Sequence, residues 1–215
     1  MSSRSTGLTH GFRFCFGLLF LSLLVLLQTS PVYAQFGLDT TFGRGGKVIV
    51  DFSGKNDAIF CVKIDDDENI LVGGNTVTAE NLLVAVLSRY TSAGQLDLSF
   101  GVNGQILTNF GGGPSEIRSL AVDTDGNIVA GGTSYNGETF DYVVARYTPD
   151  GELDTTFGTN GFVLIDFGGR ADYLYSIGLD CNGNIVAGGC SENIEEISDF
   201  ALARCTSEGE LDTTF

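Results

Sequence analysis

The stretch Leu96-Asp97-Leu98-Ser99-Phe100-Gly101-Val102-Asn103-Gly104 decides how this chain is read, because it is not unique. Its pattern, LDxxFGxxG, occurs first over 38–46 and again over 153–161, and its opening five residues return at 211–215. The steps between copies are 58, 57 and 58 residues. Three other blocks keep the same register. Asp51-Phe52 matches Asn109-Phe110 and Asp166-Phe167. Asn69-Ile70 through Gly73-Gly74 matches the blocks at 127–132 and 184–189. Ser88-Arg89-Tyr90 matches Ala145-Arg146-Tyr147 and Ala203-Arg204-Cys205. A fixed period of this kind is the signature of a tandem array whose units stack on one another. The units run 38–95, 96–152 and 153–210, with a fourth opening at 211–215.

Within the first unit, runs of β-forming residues bounded by Gly, Asn and Asp predict short strands over 46–52, 59–65, 69–74 and 82–90. Asp123-Thr124-Asp125-Gly126-Asn127 reads as a tight hairpin, since Gly and Asn tolerate left-handed backbone angles. The last strand of each unit is apolar on both faces. One face carries Ala85, Leu87 and Arg89, then Tyr142, Val144 and Arg146, then Phe200, Leu202 and Arg204. The other carries Val86 and Ser88, then Val143 and Ala145, then Ala201 and Ala203. A sheet with one wet face alternates apolar with polar, so these sheets are expected to be covered on both sides. The expected fold is all-β: tandem four-stranded repeats forming a partial or truncated β-propeller. Parallel β-helices compete, but their coils are shorter and need no hairpins. Propellers close with four or more blades. Three units therefore imply a piece of a longer product, assembly with other chains, or an open array whose end blades expose apolar faces and self-associate.

The LDxxFGxxG opening, the Asn-Ile-x-x-Gly-Gly centre and the closing Ala-Arg-Tyr resemble the delta-60 repeat family, also described as a domain-of-unknown-function β-propeller. The resemblance covers nearly all of 38–215. It implies a propeller fold in secreted or surface proteins and no defined catalytic set. Two positions depart from the pattern: Glu68 stands where the other copies have the turn glycine, and Cys205 stands where they have tyrosine.

The first 34 residues are set aside as a signal peptide. Arg4, His10 and Arg13 form a basic start, 14–27 is apolar, and Val32-Tyr33-Ala34 fits signal peptidase. The expected location is secreted or extracytoplasmic, with an uncleaved membrane anchor as the alternative. The propeller-like domain is 35–215. Loss of Arg4 and Arg13 takes the net charge from -16 to -18. An acidic surface of this size repels phosphates and excludes nucleic acid as a partner. His10 is the only histidine, so the exported chain has none, which removes His-activated nucleophiles and imidazole zinc sites.

Four cysteines follow the leader, at 61, 181, 190 and 205. Export permits disulfides, and Cys181 with Cys205 is the expected pair, free or buried thiols being the alternative. No cofactor is expected. Asp123 and Asp125, with the equivalent Asp65 and Asp67, are weak calcium candidates, against the plainer reading that they close Asx-turns. Arg89, Arg146 and Arg204 are expected to pair with the recurring Asp39, Asp97 and Asp154, because unpaired charge there is costly. Phe42, Phe100 and Phe157 are expected to wedge between blades. The hairpins at 75–82, 133–141 and 190–199 differ between units, with Tyr135 and Phe140 in one and Glu192, Glu195 and Glu196 in another. Residues released from the packing rule are where ligand contacts belong. The expected function is non-catalytic: a module for protein or glycan binding or structural spacing. Part of a polysaccharide-active propeller enzyme is the alternative.

Overall fold

A computed structural model describes residues 37–52, 54–168 and 170–215. The expected signal peptide lies outside them. Strands β1 (Asp57–Ile64), β2 (Ile70–Val77), β3 (Leu83–Tyr90) and β4 (Gln105–Thr108) form the first sheet, an antiparallel meander in the order β1-β2-β3-β4. The second sheet repeats it with β5 (Ser115–Val122), β6 (Ile128–Tyr135), β7 (Phe140–Tyr147) and β8 (Phe162–Ile165). The third contains β9 (Asp172–Leu179), β10 (Ile185–Glu192) and β11 (Ser198–Cys205). The described residues are all-β, and none of them forms a helix able to cross a membrane. The three blades do not close a ring.

The strand expected over 46–52 is not formed. Its counterparts β4 and β8 do form, by pairing with β3 and β7 of the unit before them. A short edge segment needs a partner for its backbone groups, and no earlier third strand is described for 46–52. Each complete sheet therefore takes its fourth strand from the next sequence unit, and the array is stitched across its own repeat boundaries.

The Gly-Gly pairs have two separate jobs. A Cβ on the second glycine, Gly74, Gly132 or Gly189, would meet the backbone carbonyl of Ala58, Glu116 or Tyr173. That crowding comes from a bulge in the facing strand, where the register slips between Ile59 and Cys61, between Ile117 and Ser119, and opposite Gly188 and Gly189. The first glycine admits the next blade instead. Ile117 packs on Gly73 and Ile177 packs on Gly131, the close approach that a missing side chain allows.

Neighbouring sheets share their cores. Leu71, Ala85 and Leu87 pack with Ile117, Ile128 and Ala130, and Tyr142, Val144 and Val129 pack with Leu174, Ile185 and Ala187. Only the middle sheet is covered on both faces. Tyr142 is 0% exposed, whereas its counterpart Phe200 on the last sheet is fully exposed. Ile59, Val62 and Ile64 are exposed on the first sheet. Burying one such side chain contributes about 1.5–3 kcal/mol, so each interface is a large share of the stability, as a nearest-neighbour array requires.

Candidate functional site

The meander divides the loops between two rims. The β1–β2, β5–β6 and β9–β10 turns and the LDxxFGxxG segments lie at one end of the strands. The β2–β3, β6–β7 and β10–β11 hairpins and the β4–β5 and β8–β9 connections lie at the other. A strand of eight residues separates the two by ~26 Å.

The first rim is constant. Arg89 Nε donates to Asp97 Oδ2 at 2.7 Å, Arg146 to Asp154 at 2.7 Å and Arg204 to Asp212 at 2.8 Å. Each pair thus joins the end of a third strand to the LDxxF segment that follows it. Asp39 therefore falls outside the expected pairing: its carboxylate accepts the Thr41 N–H and hydroxyl, and Asp212 is the third partner. The guanidinium also reaches forward. Arg89 Nη1 donates to the Pro149 carbonyl and Arg146 Nη1 to the Ser207 carbonyl, both at 2.7 Å, in the following blade. The same cations lie 4.7, 4.9 and 4.8 Å over the rings of Phe100, Phe157 and Phe215, a cation–π stack that adds to the ion pair. Phe100 and Phe157 are wholly buried wedges. Phe42 is half-buried and lines an apolar cavity of about 380 Å³ with Val48, Val62 and Tyr90.

These contacts hold the carboxyls of Asp97 and Asp154 below the usual range, through the Ser99 and Thr156 hydroxyls first and then the arginines. Asp212 is lowered to about 2 by the Thr214 hydroxyl and N–H, with Arg204 adding to them. The Asx-turns belong to the same rim. Asp123 accepts the N–H groups of Asp125 and Asn127 at 2.9 Å and the Asn127 side-chain amide at 2.9 Å. Asp65 and Asp180 repeat this set. The Asp123 carboxylate is thus engaged in closing its own turn, to which Asp125 contributes its N–H.

Cys181 and Cys205 are free thiols, and the expected bridge is not formed. Cys181 sits exposed in the β9–β10 turn. Cys205 occupies the place of Tyr90 and Tyr147 and points into the core between the second and third sheets. Burial raises its thiol to about 11, as it does that of Cys61, which favours the protonated thiol over the nucleophilic thiolate at neutral pH.

The second rim is variable. In the β6–β7 hairpin Tyr135 and Phe140 pack at 5.2 Å, and Phe140 stacks on Tyr173 of the next sheet at 5.9 Å. Phe140 and Tyr173 border a cavity of about 150 Å³ shared with Leu83, Pro114 and Glu116. In the third blade Glu196 pairs with Arg170 at 2.5 Å instead. Sequence reasoning missed one feature here. One carboxylate oxygen each from Asp141, Asp166 and Asp172 lies within 4.8 Å of the other two. The β7–β8 ladder ends at Tyr142 with Ile165, and Asp141 and Asp166 are the residues one step beyond that rung. The corresponding residues of the first sheet are Val84 and Asn109, so comparing the units for gained charge could have found it.

No curated protein matches this chain. The family model described as domain of unknown function (DUF5122) beta-propeller matches it three times, over 67–100, 124–157 and 182–215. Each match runs from the Asx-turn through the second and third strands to the LDxxF segment. The matched unit therefore contains an arginine, its aspartate and its phenylalanine together. On those three matches the chain belongs to the DUF5122 beta-propeller family.

Proposed function

We propose that this chain is a non-catalytic, extracytoplasmic repeat module that binds a glycan or protein partner through its variable rim. The observation that carries the reading is the division of labour between rims. One repeats the same Arg–Asp–Phe lock in every blade, and the other changes composition from hairpin to hairpin. Tyr135, Phe140 and Tyr173 form a row of half-buried rings packed on one another, with Glu116 beside Phe140 and Tyr173, and their outer edges suit apolar contact with sugar rings. A hydrolase would use two carboxylates across a channel, ~5–9 Å apart, and the chain after its leader has no histidine to add other acid–base chemistry.

The direct test is retardation of the chain in gels cast with neutral and acidic polysaccharides, alongside a reducing-end assay on the same panel. Binding that is lost in Tyr173→Ala, with no release of reducing ends, is expected. Release of reducing ends would move the reading to the polysaccharide-active enzyme. For the leader, the exported protein should begin at Gln35; an intact N-terminus in the membrane fraction would favour the anchor.

The end sheets carry a second part of the proposal. The exposed apolar faces of the first and last sheets match in character the faces that neighbouring blades bury. We therefore assign them to head-to-tail contact with a second copy. Sedimentation should show association that Val62→Asp or Phe200→Asp removes; a monomer at all concentrations would refute this.

A further inference from the structure

We propose that Asp141, Asp166 and Asp172 bind calcium at the variable rim, where the second and third sheets meet. The three carboxylates crowd within 4.8 Å, and Asp141 and Asp172 are 3% and 1% exposed. None of the five ion pairs among the described residues involves them. Like charges this close repel one another, and buried charge without a counter-ion is costly. Such an arrangement calls for a cation from outside the chain.

The second observation is an orphaned oxygen. Asp172 Oδ2 accepts the Phe167 N–H at 2.9 Å, but Oδ1, although buried, has no hydrogen-bond partner. The equivalent Asp57 in the first blade has both oxygens engaged, Oδ1 by the Thr76 hydroxyl and Oδ2 by the Phe52 N–H. The position is therefore satisfied in one blade and left open where the two other carboxylates gather. Ser134 lies across from Asp141 in the β6–β7 register, and its buried hydroxyl also has no partner. Asp141 is held in place by Asn136 Nδ2 and the Thr139 hydroxyl, and Asp166 by the Gly168 N–H.

The donor set is all oxygen, which selects a hard cation, and exposed Asp166 leaves one side open to water. Calcium accepts six to eight oxygens in irregular geometry, whereas magnesium demands an octahedron. Three carboxylates from two sheets fit the looser requirement. Bound there, the ion would tie the β6–β7 hairpin to the β8–β9 connection and fasten the third blade to the second. This inference is independent of any glycan or protein partner.

The test is calorimetric titration of the full chain with calcium chloride, and with magnesium chloride for comparison, together with thermal melts in chelator and in calcium. The wild type should melt roughly 3–6 °C higher at calcium about tenfold above its dissociation constant. Asp172→Asn and the exposed Asp166→Asn should each lose that rise, and in chelator Asp166→Asn should melt at or above the wild type, because one repulsion has gone. Should Asp172→Asn fail to fold, Asp166→Asn carries the test alone. No calcium effect on the wild type up to ~5 mM, several-fold beyond the ~1 mM weak end of extracellular sites, would overturn the proposal. So would an equal rise in both variants. Polysaccharide retardation measured in chelator separates this result from the fate of the partner-binding reading.

Discussion

The two rims of this protein are built from the same strands and respond oppositely to charge. At the constant rim every recurring aspartate has donors. Asp39, Asp97, Asp154, Asp180 and Asp212 all have carboxyls lowered by hydroxyl, amide or guanidinium partners. At the variable rim Asp141 is raised by burial and by two neighbouring carboxylates. Repetition enforces satisfaction, because a flaw in the lock would recur in every blade. The variable rim is exempt and can concentrate charge where a ligand will meet it.

Acid separates the rims and should give the largest effect, since it acts on all the lowered carboxyls together. A carboxyl depressed in the folded state contributes stability above its unfolded value of ~4, and that contribution disappears as pH falls through the folded value. For Asp212 the loss extends down to about 2. Asp141 has the opposite sign. Its ionisation costs the folded state stability at neutral pH, and the cost is relieved as pH falls through its raised value. In chelator, the melting midpoint should fall steeply between pH ~4 and ~2. An Arg146→Ala chain should lose less over that interval, having already lost one lock. Equal slopes in the two chains would separate the lock from acid stability.

Next in size is the lock itself. Arg146→Ala removes the partner of Asp154, the donor to the Ser207 carbonyl and the cation over Phe157. With the pair mostly but not fully buried, the cost should be about 2–3 kcal/mol, read in urea melts. Tyr135→Ala at the other rim should stay within ~0.5–1 kcal/mol. If the two cost the same, the asymmetry between the rims fails.

Cys205 sharpens the comparison from inside the core. The hydroxyl of its counterpart Tyr147 shares a 2.7 Å hydrogen bond with Thr108 Oγ1 of the preceding sheet. The residue equivalent to Thr108 one unit later is Ile165, buried in the same cluster as Cys205. The polar pair of one interface has become an apolar pair in the next. Cys205→Tyr alone should cost ~1–3 kcal/mol through overpacking and an unpartnered hydroxyl. Adding Ile165→Thr should recover part of it, with a coupling of ~1 kcal/mol in a double-mutant cycle. Strict additivity would mean that the two positions do not communicate.

Much of the constant rim was legible in sequence, because a fixed period makes pairing visible without coordinates. Arg89, Arg146 and Arg204 announced acidic partners by recurring with them. What the period could not show was phase: the arginine at the end of one unit locks the aspartate of the next LDxxF segment, so Asp39 gave way to Asp212. The same phase error predicted a strand over 46–52, whose hydrogen-bond partner would belong to an earlier unit. The acidic cluster was illegible for a different reason. Asp141, Asp166 and Asp172 are separated in sequence, and they meet only because the β7–β8 register and the turn into β9 bring three unremarkable positions together. Acidic residues are abundant in this chain, so their number carried no signal. Their convergence and the open oxygen do.

The smallest effect concerns a turn of the constant rim that departs from its two counterparts. At the tip of the β1–β2 turn Glu68 adopts a φ of 63°, where Gly126 and Gly183 adopt 83° and 79°. A side chain in the left-handed region costs about 1–2 kcal/mol, and glycine escapes that cost but gains freedom in the unfolded chain. The net gain from Glu68→Gly should therefore be near ~1 kcal/mol, raising the midpoint by roughly 2–4 °C. The carboxylate of Asp65 would keep its three donors from Asp67 and Asn69, so the turn would relax without changing shape. A loss of stability on this substitution would mean that Glu68 holds a contact worth more than its strain, and that this turn, alone among the three, belongs with the variable positions of the molecule.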